Sequence, residues 1–237
     1  MKHEKLITHT NPKSPVAEAY RTLRTNIQFS SLDRPLKTIV VTSAGPGEGK
    51  STIVANFAIT LAQAGQRVIL VDCDLRKPRL HKLFGISRNG LTNVLVGNLP
   101  IEEVLWPTAV PGLLLIPSGP LPPNPAELLG SQKMQNFIEQ VSKMGDIVLF
   151  DTPPVIAVTD AALLASRVDG VLLVLRAGEV DRRMALQAKE ALENARARII
   201  GVVLNDVENS GGSGYYYYYG EGGKRRRKGK VNILARD

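Results

Sequence analysis

The chain of 237 residues contains a single cysteine, Cys73, so no disulfide can close within it and a reducing compartment fits. No apolar run approaches the roughly 18 residues that a membrane span needs. The opening residues, MKHEKLITHT, are of mixed polarity and lack the apolar stretch of a secretory signal. There is no long internal repeat. Net positive charge is small on the body. The formal charge is +8, but Glu221–Asp237 alone holds seven Lys/Arg against two acids, leaving about +3 for the preceding 220 residues. The basic composition therefore gives no argument for a DNA-binding body, and no nucleic-acid partner is expected.

What is present is a soluble-type core. Hydrophobic residues make up 43% of the chain, enough for one large α/β domain. Residues 15–29 read as a helix: Ser14 can cap it, Pro15 suits its first position, and Val16, Tyr20, Leu23 and Ile27 recur at spacings of four and three. Strands are predicted at about 37–43, 67–72, 113–117, 146–151, 170–176 and 199–205. Helices are predicted from the end of the first strand's loop to about Gln63, and at 126–144, 160–167 and 182–195. Residues 79–106 read as short helices broken by Gly85, Gly90 and Gly97, and 118–125 as a Pro-rich loop. Apolar strands alternating with amphipathic helices predict a mostly parallel sheet covered on both faces. Ligands of such sheets sit at the C-terminal strand ends.

The most constrained stretch is IVVTSAGPGEGKST, residues 39–52. A β-branched run enters a loop that fits [A/G]-x-x-x-x-G-K-[S/T], with Ala44 first. This is a phosphate-binding P-loop. Gly45, Gly47 and Gly49, with Pro46 and Glu48 between them, let the backbone curl so that N–H groups point at phosphate oxygens. Lys50 reaches the β- and γ-phosphates, Ser51 can hold Mg²⁺, and Thr52 opens the helix. The chain lacks an N-K-x-D guanine motif, so ATP is expected rather than GTP. Asn205, at the end of the last strand, is placed to approach the adenine.

Two further strands end in carboxylates, at Asp72-Cys73-Asp74 and at Asp151-Thr152-Pro153-Pro154. A P-loop enzyme needs a carboxylate at a neighbouring strand end to support Mg²⁺, and Asp151 fits. Asp72 and Asp74 supply one more than metal support requires, and the extra one could accept a proton from an attacking hydroxyl. A lone D-x-D is ordinarily a surface turn. This one ends an apolar strand some 20 residues after the P-loop. Cys73 reads as a packing residue.

From Glu208 onward the character changes. A linker, NSGGSG, precedes five consecutive tyrosines, Tyr215, Tyr216, Tyr217, Tyr218 and Tyr219, and then the run Lys224–Lys228. Residues 208–237 are expected to be largely disordered. The basic run could meet anionic lipid, nucleic acid or an acidic partner, or simply keep the tail solvated.

SAGPGEGKST, ILVDCDLRKP and IVLFDTPP together resemble the Walker A, A′ and B motifs of bacterial protein-tyrosine kinases associated with capsular and exopolysaccharide synthesis. Glu18, Arg21 and Arg24 match that family's E-x-x-R-x-x-R oligomerisation motif, SGPLPPNPAELL a further family stretch, and the tyrosine run its autophosphorylation segment. The resemblance implies ATP and Mg²⁺ as cofactors, Lys50 on phosphate, Ser51, Asp74 and Asp151 around the metal, and Asp72 as the base. It implies a ring-like homo-oligomer in which one subunit's tail enters its neighbour's site, protein-tyrosine substrates and a cognate tyrosine phosphatase. It also implies a membrane-anchored modulator that recruits a cytoplasmic chain to the inner face of the membrane. The domains would be 1–36 for oligomerisation, 37–207 for the kinase and 208–237 for the tail. By spacing alone, Glu18, Arg21 and Arg24 are equally a solvated ion-pair face. Two other readings share the nucleotide fold: a partitioning-type ATPase switch and a nucleotide-sensing scaffold. Partitioning relatives begin the loop with a lysine, K-G-G-x-G-K, where this chain has Gly45.

Overall fold

The computed structural model describes residues 6–30 and 35–207. The tyrosine cluster at 215–219, the basic run and the remainder of the tail lie outside the described residues, as do residues 1–5 and 31–34.

In chain order the elements are α1 (Ile7–Thr10), α2 (Pro15–Ser30), β1 (Thr38–Ser43), α3 (Lys50–Gln63), β2 (Val68–Asp72), α4 (Leu80–Phe84) and α5 (Leu91–Leu95). A 3₁₀ turn at Ile101–Val104 leads to β3 (Trp106–Pro107) and β4 (Leu113–Ile116). Then follow α6 (Pro125–Gly130), α7 (Gln132–Met144), β5 (Ile147–Asp151), α8 (Asp160–Ala165), β6 (Gly170–Arg176), α9 (Arg182–Asn194) and β7 (Ile199–Asn205).

The strands form one sheet in the order β3-β4-β2-β5-β1-β6-β7. All neighbours are parallel except β3 and β4, an antiparallel pair of two residues at the edge. Successive residues of a strand face opposite sides, and the core divides accordingly. Ile39 and Val41, Val68 and Leu70, and Ile147 and Leu149 pack with α3 and α2. Val40, Ile69, Val71, Val148 and Phe150 pack on the other face with α5, α7 and α8. Both faces are covered, which is why these strands read as continuous apolar runs.

Three local features depart from the expectations. The helix expected over 126–144 is two helices. It breaks at Ser131, whose side chain caps α7 by accepting from Met134 N at 3.2 Å. The Arg167 guanidinium donates to the carbonyls of Gly130 and Ser131 at 2.6 and 3.0 Å, satisfying the groups the break leaves open. The short α1 was not foreseen. It is fixed to α3 through Thr8, whose hydroxyl and backbone N–H donate to Asn56 Oδ1 at 2.8 and 3.0 Å. The β3 pairing was also missed, as a two-residue contact carries no periodicity. No helix among the described residues is long and apolar enough to cross a membrane.

Candidate active site

The C-terminal ends of β1, β2 and β5 lie side by side, with Asp72 directly opposite Asp151 in the β2–β5 register. The loop after β1 and the start of α3 cover this edge, so strand order alone assembles the P-loop with both acidic strand ends.

Gly47 and Gly49 adopt φ of +85° and +89°, the left-handed region that favours glycine. Gly45 differs from the expectation. Its φ lies outside the left-handed region, and an added Cβ would sit 3.1 Å from Glu48 Oε1 and 3.3 Å from Met184 Cε, tight contacts with the ends of two flexible side chains. Its N–H donates to the carboxylate of Glu48, so in this conformation Gly45 does not offer that group to a phosphate. Glu48 is buried, and its second oxygen has no donor among the described residues. Burial pushes its carboxyl above the usual range against the pull of the Gly45, Ala44 and Arg176 backbone.

Lys50 ties the acidic strand ends together. Its ammonium lies 2.9 Å from Asp74 Oδ2, 3.4 Å from Asp151 Oδ1 and 3.5 Å from Ser51 Oγ. Burial works against the charge on Lys50, but Asp151 and Asp74 outweigh it and hold the ammonium above its usual value. Asp151 is fully buried. Burial raises its carboxyl, while Lys50 and the Ser51 hydroxyl oppose the rise. Its Oδ2 has no hydrogen-bond donor among the described residues.

That orphaned oxygen, the Ser51 hydroxyl and Asp74 are oxygen donors of the kind Mg²⁺ takes. No cluster of three His, Cys, Asp or Glu placed to hold a metal occurs among the described residues. This donor set suits an ion completed by phosphate oxygens and water rather than an all-protein cage.

Asp72, the expected base, is fully buried. Its Oδ1 accepts from Asp74 N at 3.2 Å, and its Oδ2 from Arg79 N and Leu80 N at 3.1 and 3.0 Å. Burial first, then the charge of Asp151, pushes it up to about 8. It thus lies beside the site and organises the loop that follows. Cys73, between the two aspartates, is buried, and burial pushes its thiol well above the usual range.

Asn205 reaches the loop from the far side of the sheet, its Nδ2 donating to the Glu48 carbonyl at 3.0 Å. Thr52 is the third residue of α3, directly after Ser51. Glu18 and Arg21 form an exposed pair at 2.7 Å, and Arg24 donates to Thr60 O at 2.9 Å, so the three stand on α2 away from the acidic site. Sequence reasoning missed the pair Arg76–Asp160. Asp160, at the start of α8 and fully buried, accepts from Arg76 Nε and Nη2 at 2.9 and 3.0 Å. The clamp holds the loop after Asp74 against α8. Its only sequence signal was an arginine two residues past the acidic pair.

A P-loop strand, an acidic second strand and a third strand ending in a buried carboxylate define the P-loop nucleotide-binding class of parallel α/β proteins. Residues 36–195 match the family model described as an AAA domain. The tyrosine-protein kinase YwqD of Bacillus subtilis is 44% identical over 201 residues, covering 84% of this chain and 85% of the relative. The kinase domain of the Escherichia coli tyrosine kinase ETK superposes with a TM-score of 0.83 at 33% identity, covering 90% of this chain and 84% of that one. The tyrosine-protein kinase wzc of Salmonella typhimurium is 35% identical over 207 residues, which are 87% of this chain but only 29% of the relative. The septum site-determining protein MinD of Pyrococcus horikoshii shares the fold, with a TM-score of 0.62 at 23% identity over 71% of this chain and 69% of that one. The chain belongs to the bacterial tyrosine-protein kinases.

Proposed function

We propose that the chain transfers the γ-phosphoryl group of ATP to Tyr215–Tyr219 of a neighbouring copy and to tyrosines of other proteins, in the control of capsular or exopolysaccharide synthesis and export. The observation that carries the reading is the convergence of Lys50 with Asp74 and Asp151, at 2.9 and 3.4 Å, at the mouth of the P-loop. Phosphoryl transfer depends mainly on positioning and on charge stabilisation, and this cluster supplies both.

In this reading Pro46, Gly47, Gly49 and Thr52 shape the loop around the nucleotide. Lys50 passes from the carboxylates to the β- and γ-phosphates. Ser51, Asp74 and Asp151 would hold Mg²⁺, which neutralises charge on the phosphates when bound. The tyrosine oxygen forms a bond to the γ-phosphorus, the bond to the β-phosphate bridging oxygen breaks, and ADP leaves. Asp72 takes the hydroxyl proton. Its Oδ1 accepts a single N–H, from Asp74, and so keeps a lone pair for that proton. Asn205 lies close enough to the P-loop for a contact with the adenosine.

The three segments expected from the sequence keep their roles in the proposal, with 1–36 carrying oligomerisation through Glu18, Arg21 and Arg24. A membrane-anchored modulator is the activating partner in this scheme. Recruitment to the inner membrane face and reversal by a tyrosine phosphatase complete the scheme. Gly45 weighs against a partitioning-type switch, because those proteins carry a lysine at that position.

Mixing a chain that cannot transfer with one that cannot accept tests transfer between copies. A Lys50→Met chain serves as acceptor, and a chain with all five tail tyrosines changed to Phe serves as donor, with ATP, Mg²⁺ and a modulator fragment. Phosphate on the Lys50→Met chain is the expected result. Its absence, with an active donor, contradicts transfer between copies.

A further inference from the structure

Immediately beyond Asp74 the catalytic edge opens into a cleft of about 860 Å³ between the segment 76–89 and the loop 117–121. Arg76, Lys77, Arg79, Lys82 and Arg88 line it, and among the described residues no Asp or Glu does. Arg76 is already paired with Asp160. Among the described residues the other four make no ion pair. Arg88 is steadied with its guanidinium 4.7 Å from the Trp106 ring centroid. A concave surface of one sign concentrates anions. Four unpaired cations in one cleft have the capacity for one or two phosphate dianions.

The cleft is also joined to the chemistry. Lys77 N donates to Asp74 Oδ1 at 2.9 Å and Arg79 N to Asp72 Oδ2 at 3.1 Å, so the cationic wall grows out of the acidic pair. From Asp74 to Lys77, the first of the four unpaired cations, is three residues, at most about 10 Å of chain. Two tyrosines separated by one residue in an extended segment span about 7 Å, within that reach, and project to the same side.

We propose that this cleft is a phosphotyrosine-binding subsite that holds an already modified tyrosine of the acceptor segment while a tyrosine two positions away enters the acidic site. The proposal rests on the reading of residues 215–219 as acceptors. Before modification the segment 209–223, NSGGSGYYYYYGEGG, carries a single acid and is followed by five consecutive basic residues, so a cationic cleft has little to hold. Each phosphate adds about −1.5 to −2 charge and three acceptor oxygens. The first transfer therefore creates the ligand that favours the next, and modification of the cluster is self-promoting.

The test uses synthetic peptides of residues 209–223, either unmodified or with phosphotyrosine at position 217. Binding is read by fluorescence anisotropy on the full chain carrying Lys50→Met, and transfer by initial rates on the otherwise unaltered chain. The comparison variant is Lys82→Glu with Arg88→Glu, two exposed positions, checked for an unchanged melting curve. The expected result is at least tenfold tighter binding of the phosphopeptide, a lower KM for its further phosphorylation, and loss of both preferences in the double variant. Unmodified peptide should be handled alike by both chains. Equal affinity for the two peptides overturns the proposal, as does a preference that survives the double variant. Equal binding of a Tyr217→Glu peptide overturns it in favour of general acidic-peptide recognition. Charge-reversal-sensitive binding of phosphatidylglycerol vesicles without phosphopeptide binding overturns it in favour of a membrane surface. Phosphopeptide binding without transfer to any peptide would sink the acceptor reading and leave the cleft standing. Transfer without preference would do the reverse.

Discussion

The Asn205 side-chain amide donates to the backbone carbonyl of Glu48 at 3.0 Å, fastening the last strand of the sheet to the P-loop. The same amide fills the space beside Gly49, so a Cβ at Gly49 would collide with it. The loop's shape is thus set from two directions: by left-handed glycines within it and by an asparagine from the far end of the domain.

Replacing Gly49 by Ala should destabilise the fold by about 1–3 kcal/mol, from the positive φ and the collision with Asn205. Binding of a fluorescent ATP analogue should weaken at least tenfold. In the double variant with Asn205→Ala part of the collision disappears, so the two stability losses should sum to more than the measured loss. Denaturant melts of the four proteins check this, and strict additivity would contradict it.

Arg76→Ala leaves the carboxylate of Asp160 buried without its cation. The expected cost is about 2–3 kcal/mol, short of the full penalty for breaking a buried pair because Arg76 is itself partly open to solvent. Arg76→Lys should restore little, since a single ammonium cannot reproduce the two-pronged contact. Arg76→Ala with Asp160→Asn should be more stable than Arg76→Ala alone. Urea titration reads all three, and phosphotransfer should fall as the loop bearing Asp74 loosens.

Burial, with the nearby Asp206 charge, pushes the Tyr20 hydroxyl up from 10.0 to about 12. The folded chain holds that proton more tightly than the unfolded one. The contribution is therefore intact below about pH 10 and is lost as the pH rises through about 12, amounting to up to ~3 kcal/mol. Tyr20→Phe should flatten the alkaline limb of the stability curve relative to the unaltered chain. Melting temperatures between pH 9 and 11.5 check it, and parallel curves would contradict it.

The parallel strands and the P-loop were legible because their causes are local. Burial on both faces writes Ile39–Val41, Val68–Val71 and Ile147–Phe150 as unbroken apolar runs, and the glycine spacing marks the turn between strand and helix. The features that escaped have distant causes. Amphipathic spacing runs straight through 126–144, and the break at Ser131 is completed by Arg167, 36 residues later. The helix α1 depends on Asn56, 48 residues from Thr8. Asp160 lies 84 residues from Arg76, and neither position announces the other. Gly45 was expected to supply curl and a phosphate-facing N–H. Its N–H instead meets the Glu48 carboxylate, a pairing that the glycine spacing does not announce.

The central claim is that Lys50 at one end of the chain directs phosphate to the tyrosines at the other. Purified chain incubated with ATP, Mg²⁺ and an activating modulator fragment, then mapped by mass spectrometry, tests it most directly. The account predicts phosphotyrosine within 215–219 of the unaltered chain and none on a Lys50→Met chain incubated alone. ATP turnover without phosphotyrosine in that segment, or equal modification of the Lys50→Met chain, would contradict it.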